Sequence, residues 1–375
     1  MMMRFSLVFS FLAVTAVSAW TVPRISSNNP HSTTRLYNIP PPSLNDAKAF
    51  KEYADKQPPP ASFFELQQDC TKAAQLALRD GHKLIEIEFP PLPANVLEMD
   101  DVSAYEISNA NLNLAIDFAK GIMAATIDDP ESATYNKIAI LLPDEAEADI
   151  ATEKMLGGAK NPYPGITVGS LLESEEGDER IIKPEQLFLN LFGGGSGGIV
   201  RAREDVDMYI CIVASAQELP DIEELSQLEP DKPIVFFNLK LDVLRGDLGA
   251  PAFPPREFQD RFLSRVKPVY FLRTRQYSRS TPNPPFLINF QGCLFRSYPG
   301  QFQTLLDTGT GRYRRVKGND VRPPLGGFKE ELTEALRETG VIEEEGKTLN
   351  FLRTGYKTTT WWEEEREDAS DEWRT

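Results

Sequence analysis

Three groups of residues in this 375-residue chain have types and spacings that could do chemistry. Gly193-Gly194-Gly195-Ser196-Gly197-Gly198 contains a G-x-G-x-x-G pattern after the apolar run Leu187–Phe192. In a dinucleotide site those glycines open a helix whose N-terminus faces pyrophosphate. Here Ile199–Asp207 leads straight into another strand pattern, too short for a crossover helix. The stretch reads as a flexible loop, and without a following Gly-Lys-Ser/Thr it is not a Walker A loop. Glu86 and Glu88 lie two apart and share one face of a strand. They could form a carboxylate pair, but alternation with Leu84, Ile85, Ile87 and Phe89 favours a face turned to solvent. Asp144 follows a buried strand, at the sheet end where α/β sites often lie, and could equally cap the next helix. His82, just after Gly81, reads as a partner for helix-terminal carbonyls rather than a base. Cys70, Cys211 and Cys293 lie far apart with no CxxC pair, which excludes a zinc ribbon and a thioredoxin-type dithiol. With only His31 and His82 as imidazoles, no metal site and no cofactor is expected. No Ser-His-Asp or Cys-His set can be assembled.

The elements that must position these residues alternate along the chain. Ser62-Phe63-Phe64-Glu65 is a capping box for a helix ending at Gly81. Lys83–Phe89 reads as a strand stopped by Pro90 and Pro91. Helices are expected over Ser103–Ala125 and Glu145–Leu156, and strands over Lys137–Leu142, Leu187–Phe192, Met208–Ala214 and Ile234–Leu239. Ile222–Leu228 reads as a short helix. Buried apolar strands separated by helices indicate an α/β fold with a mostly parallel sheet and flanking helices. Leu241–Pro255 is rich in Pro and Gly and reads as irregular. Phe258–Val266 is a short helix or turn. A β-rich C-terminal portion follows, with strands over Val269–Leu272, Leu287–Phe295, Phe302–Leu306 and Tyr313–Val316, then an amphipathic helix over Phe328–Glu338.

The two ends read differently. Met1–Ala19 has Arg4, an apolar run too short to span a membrane, and a Val17-Ser18-Ala19 cleavage pattern, as in a secretory signal peptide. Trp20–Arg24 opens a stretch rich in Ser, Thr, Asn, Pro and Arg, with no acid until Asp46, as in a transit peptide. Residues 1–45 resemble the bipartite leader of secondary plastids in diatoms and related algae, which implies the plastid stroma. Residues 46–60 read as a proline-rich linker carrying a short polar helix, Ser43–Gln57. Residues 58–340 read as one α/β domain, and 341–375 as an acidic, disordered tail.

Charge is segregated. Residues 46–244 carry about 16 basic and 37 acidic side chains, whereas 245–330 carry about 15 basic and 6 acidic. With pI near 4.8 and net charge −16, general affinity for nucleic acid is not expected. The basic segment could face anionic lipid, a phosphate-bearing ligand or an acidic partner, or could simply balance the acidic half. Arg273, Arg275, Arg296 and Arg314 are the candidate interaction surface. Asp144, Arg273 and Arg296 are the candidate ligand-binding residues. No apolar stretch after the leader is long enough to span a bilayer.

Several short segments together resemble a domain-of-unknown-function family of plastids and cyanobacteria. They are Pro59-Pro60-Ala61-Ser62 with Ala77–Gly81 (ALRDG), Leu84–Pro93 (LIEIEFPPLP), Ile140–Asp144 (ILLPD), Pro233–Asn238 (PIVFFN), Val269–Arg273 (VYFLR) and Leu294–Gly300 (LFRSYPG). The family includes the low photosystem II accumulation protein three and the C-terminal extension of a chloroplast adenylate kinase. The resemblance implies a stromal protein, partly attached to thylakoids, that assists assembly of photosystem II core subunits. It supplies no catalytic residues. The expectation is therefore an assembly or interaction protein rather than an enzyme. Its partner would be a protein at the thylakoid surface or an anionic membrane face. A binder of a phosphorylated small molecule on the α/β fold is the alternative.

Overall fold

Ser62 begins the ordered alternation. Its hydroxyl accepts from the Glu65 N–H at 3.2 Å, while the Glu65 carboxylate reaches back to the Ala61 N–H at 2.9 Å. One of the donors that a helix start leaves free is thereby satisfied, and the residue before the cap is tied back to the first turn. The computed structural model describes residues 46–97, 102–128, 134–174, 198–281, 284–309, 312–342, 359–364, 366–367 and 369–375. The helices are α1 (Ala47–Ala54), α2 (Phe63–Arg79), α3 (Ala94–Leu97), α4 (Ala104–Asp128), α5 (Glu145–Ile150), α6 (Leu219–Leu228), α7 (Leu241–Asp247), α8 (Glu257–Arg261) and α9 (Leu325–Glu338). The strands are β1 (Leu84–Glu88), β2 (Ile138–Leu142), β3 (Ile166–Ser170), β4 (Leu172–Ser174), β5 (Gly198–Val200), β6 (Met208–Cys211), β7 (Ile234–Phe237), β8 (Lys267–Ser280), β9 (Leu287–Ser297), β10 (Phe302–Asp307) and β11 (Tyr313–Asn319).

One nine-stranded sheet runs β11-β10-β9-β8-β1-β7-β6-β2-β3. The strands from β8 to β3 are parallel; β9, β10 and β11 add an antiparallel meander on the β8 side. The fold is α/β with a β-rich C-terminal portion. Alternation sorts each strand between two layers. Ile85 and Ile87 of β1 and Phe237 of β7 pack with residues of α2 and α4, such as Ala73, Ala77 and Phe118. Ile234 and Phe236 of β7 face the other way, onto Leu219 and Ile222 of α6 and Phe258 of α8. A third cluster joins Phe271, Phe290 and Phe302 to Phe328 and Leu332 of α9. Each large apolar side chain buried in these layers contributes roughly 1.5–3 kcal/mol.

Several features differ from the sequence expectations. The strand expected over Val269–Leu272 extends to Ser280, because residues 274–280 alternate exposed and half-buried side chains over α9 rather than forming a continuous apolar run. The stretch from Leu241 begins with helix α7, despite the Pro and Gly that follow. The segment read as a linker is anchored: Ala54 is buried, and the Asp55 carboxylate accepts from the Gln301 N–H at 2.8 Å. The described part of the acidic tail packs against the domain, with Trp373 buried and short 3₁₀ turns at Trp361–Glu363 and Glu372–Arg374. Strand β3 has no counterpart among the expected elements. The strand expected over Leu187–Phe192 and most of the glycine-rich loop lie outside the described residues.

Candidate functional site

The carboxyl end of β1 carries Glu86 and Glu88 on one face, as their spacing requires. That face is not turned to solvent: Glu86 is 1% exposed and Glu88 6%. The covering layer comes from the chain after β7. Asn238 ends that strand with φ +55°, a left-handed conformation that Asn tolerates better than most residues. Its side-chain oxygen accepts from the Phe89 N–H at 2.8 Å, and its amide donates to Asn111 of α4 at 3.0 Å. Lys240 is also left-handed, at φ +55°, and α7 starts at the next residue. These two reversals bring Asp242 and Arg245 over β1.

Asp242 is the hub. It accepts from Arg245 at 2.9 Å, from Arg322 at 2.5 Å and from Arg273 of β8. Arg273 also forks onto Glu88 with two bonds of 2.6 Å, the bidentate geometry that favours arginine over lysine. Arg322 stacks on Phe271 at 4.3 Å, and Gln259 of α8 accepts from Arg245 Nε at 2.9 Å. Burial alone would raise the Asp242 pKa, but Arg322, Arg273 and Arg245 outweigh it and hold the carboxyl far below its usual range. Burial likewise opposes the charge on Arg273, and Glu88 and Asp242 overcome it, so its pKa rises.

Glu86 has a different environment. Its nearest cation, Arg322 Nη1, is 4.0 Å away, and neither carboxylate oxygen has a hydrogen-bond partner. Burial pushes its pKa up to about 7, assisted by Glu88 and Asp242 and opposed by Arg322 and Arg245. Arg245 Nη2 and Arg322 Nη1 also lack hydrogen-bond partners.

A concave feature lies at the same carboxyl end of the parallel strands, beside β2 and β3 at the far edge of the sheet. Asp144 caps α5, accepting from the Glu147 N–H at 2.9 Å. The next residue, Glu145, lines an open cleft of about 800 Å³ with Asp149, Lys160, Glu173, Arg201 and Arg203. Arg203 is fixed by the Ser170 carbonyl at 2.8 Å and by Glu173 at 2.9 Å, while Arg201 lies 3.6 Å from Glu173.

The structure separates the candidate ligand residues. Asp144 follows β2, and β6, β7 and β1 lie between that strand and Arg273 on β8. Arg296 on β9 is only 4% exposed, stacked on Phe302 at 4.6 Å and donating to the Gly300 carbonyl at 3.1 Å. Arg273 and Arg296 therefore do not share a surface with Arg314, which is exposed on β11 and donates to the Ala335 carbonyl at 3.2 Å. Arg275 is half-buried on β8. His82 packs edge-on against Tyr298 at 5.7 Å, and its pKa is lowered by burial and by Lys267. The three cysteines are buried and free. Asp242, Arg245 and Arg322 were not anticipated. The i, i+3 spacing of Asp242 and Arg245 before a Pro/Gly-rich run was the available signal.

Segments from across the sequence thus meet at one place. Glu88 comes from LIEIEFPPLP, Asn238 from PIVFFN, Arg273 from VYFLR and Arg296 from LFRSYPG. Tyr298 of the last segment donates to Asp80 of ALRDG at 2.7 Å. No curated protein and no solved structure matches the chain. The family model described as "Domain of unknown function (DUF1995)" matches residues 60–330, well over half of the sequence, and the chain belongs to that family.

Proposed function

We propose that this protein is a plastid stromal interaction factor of the photosystem II assembly kind, acting by docking rather than by catalysis. The observation that carries this reading is the β8–β9 hairpin. Beyond its last pairing with β1 at Phe271, β8 continues to Ser280, an arm of about 30 Å at 3.3 Å per residue. One face packs Tyr277 and Phe290 toward Phe328 of α9. The other presents Thr274, Gln276, Ser278, Asn289 and Gln291, all exposed and uncharged. Near the tip, Phe286 is 66% exposed and Leu287 53%. An apolar anchor beside a neutral polar rim is the anatomy of a protein interface. By contrast, the most enzyme-like constellation, Asp242 with its arginines, is closed upon itself. Among the described residues no helix is long and apolar enough to cross a membrane, so attachment to thylakoids would be peripheral.

The test is gene disruption in the host alga with pulse-labelling of photosystem II core subunits, then complementation. Disruption should lower their synthesis or assembly. The wild-type gene should restore it, and a Phe286→Ser/Leu287→Ser variant that accumulates normally should not. Unchanged core subunits after disruption would refute the assembly role; full rescue by the variant would refute the hairpin as its surface. A second reading rests on the open cleft beside Asp144, where Lys160 and Arg201 could meet a phosphorylated small molecule.

A further inference from the structure

The charge layer described above does not balance. Arg245, Lys267, Arg273, Arg296 and Arg322 lie in or against it, with Glu86, Glu88 and Asp242 as its buried carboxylates. Arg296 has no carboxylate within ion-pair distance among the described residues, and its Nη1 has no hydrogen-bond partner. Burial lowers its pKa to about 10, and Arg322 adds to the effect. Lys267 is lowered to about 8 by burial and by Arg296. Three guanidinium nitrogens, on Arg245, Arg296 and Arg322, are thus buried without a hydrogen-bond acceptor, the Arg322 nitrogen having only the Glu86 carboxylate at 4.0 Å. A buried charged donor left unmatched is costly, and an acceptor-only group of negative charge is the partner that cures it. A water molecule could bridge Glu86 to a guanidinium, but it would not offset the positive charge.

Part of what covers this layer lies outside the family-matched residues 60–330. The Trp373 ring sits 5.0 Å from the Arg245 guanidinium. The Arg374 carbonyl accepts from the backbone N–H of Arg322 at 2.7 Å, and the Thr375 hydroxyl from Lys267 Nζ at 3.1 Å. Glu372, the neighbouring acid that acts on Lys267 and His82, is exposed. The contacts made by the C-terminal residues are therefore mostly neutral oxygens and an indole face, placed against donors suited to an anion.

We propose that the domain holds a phosphate-type oxyanion site centred on Arg296, Arg322 and Lys267, covered in this chain by residues 371–375. Planar guanidinium donors and one ammonium match the several acceptor oxygens of a phosphate. The cover competes with the ligand, so affinity in the intact chain is reduced by the fraction of time the site is open.

The test is isothermal titration calorimetry on the full chain, at ionic strength held constant with chloride. Inorganic phosphate and glycerol phosphate serve as probes, to distinguish the free ion from a phosphate monoester. Trp373→Ala should bind at least one of them more tightly than wild type, by about ten-fold if the cover is open a tenth of the time. Adding Arg296→Gln should abolish the gain, whereas adding Arg201→Gln, in the open cleft, should leave it unchanged. No binding of either probe to a natively folded Trp373→Ala chain, or equal binding with and without Arg296→Gln, overturns the proposal. Loss of the gain with Arg201→Gln would assign the ligand to the cleft instead and overturn it too. Should Trp373→Ala not fold by circular dichroism, wild type and Arg296→Gln are melted with and without phosphate. The site requires a larger phosphate-induced rise in wild type, and equal shifts overturn it.

Discussion

Glu86 and Asp242 lie in one cluster and respond to pH in opposite directions. The Asp242 pKa is depressed in the folded chain, so its contribution is present above its ordinary value near 3.8 and is lost as pH falls through the acid range. For Glu86 the folded value, about 7, lies above the ordinary 4.5, so the unfolded chain releases the proton first. Stability therefore declines as pH rises from about 4.5 to about 7, by an amount on the order of 3 kcal/mol. Glu86→Gln should remove that decline while keeping the side-chain volume. Urea unfolding at pH 5, 6 and 7 measures it; equal pH slopes in both proteins would refute the assignment. Residue spacing correctly placed Glu86 and Glu88 on one face. It could not reveal that the face is roofed, because the roof comes from residues more than 150 positions later.

At the level of elements, the Pro299-Gly300 turn explains why α1 belongs to the fold. A Cβ on Gly300 would lie 2.7 Å from the Ala54 carbonyl carbon and 2.9 Å from the Ala54 Cβ. The turn needs glycine for this close approach, not for a left-handed φ. Gly300→Ala should displace α1, break the Asp55–Gln301 contact and destabilise the chain by about 1–3 kcal/mol. Limited proteolysis should then cut within residues 46–60 while the sheet stays protected; wild-type resistance there would refute the docking. The parallel strands β1, β2, β6 and β7 were legible as short apolar runs, as in ILLPD and PIVFFN, whereas β3, Ile166–Ser170, was not, because Thr, Gly and Ser interrupt its apolar residues. The outer part of β8 was not, since polar alternation also describes surface loops; the short helix read over Ser43–Gln57 is present as α1, but its proline flanks gave no sign that it docks. Helix α7 was hidden by the Pro/Gly-rich run after it.

Across the whole molecule, the reversal of charge near residue 245 is partly internal complementarity. Arg273 and Arg322 from the basic segment meet Glu88 and Asp242 from the acidic one, and Arg261 pairs with Glu223 at 2.9 Å. The sequence showed the asymmetry but not which arginines turn inward, because burial of a guanidinium depends on carboxylates far away in the chain. Arg312, Arg314, Arg315 and Lys317 remain exposed around β11. The proposed plastid address belongs to residues 1–45, outside the described structure. Fused to a fluorescent reporter, they should deliver it to the plastid of a diatom, and Trp20→Ala should divert it. Secretion or cytosolic retention of the unaltered fusion would refute that address.

The docked C-terminal residues also give the molecule a built-in optical probe. Of its 4 tryptophans, Trp361, Trp362 and Trp373 lie among the last residues and Trp20 within residues 1–45. A chain without residues 1–45 therefore has indole emission only from the C-terminal residues, where Trp373 lies on Arg245, Trp361 on Arg256 and Trp362 beside Gly246. Release of Trp373 into water would shift its emission to the red without any attached dye. The proposed opening of the cover can thus be timed by stopped-flow fluorescence in unlabelled protein.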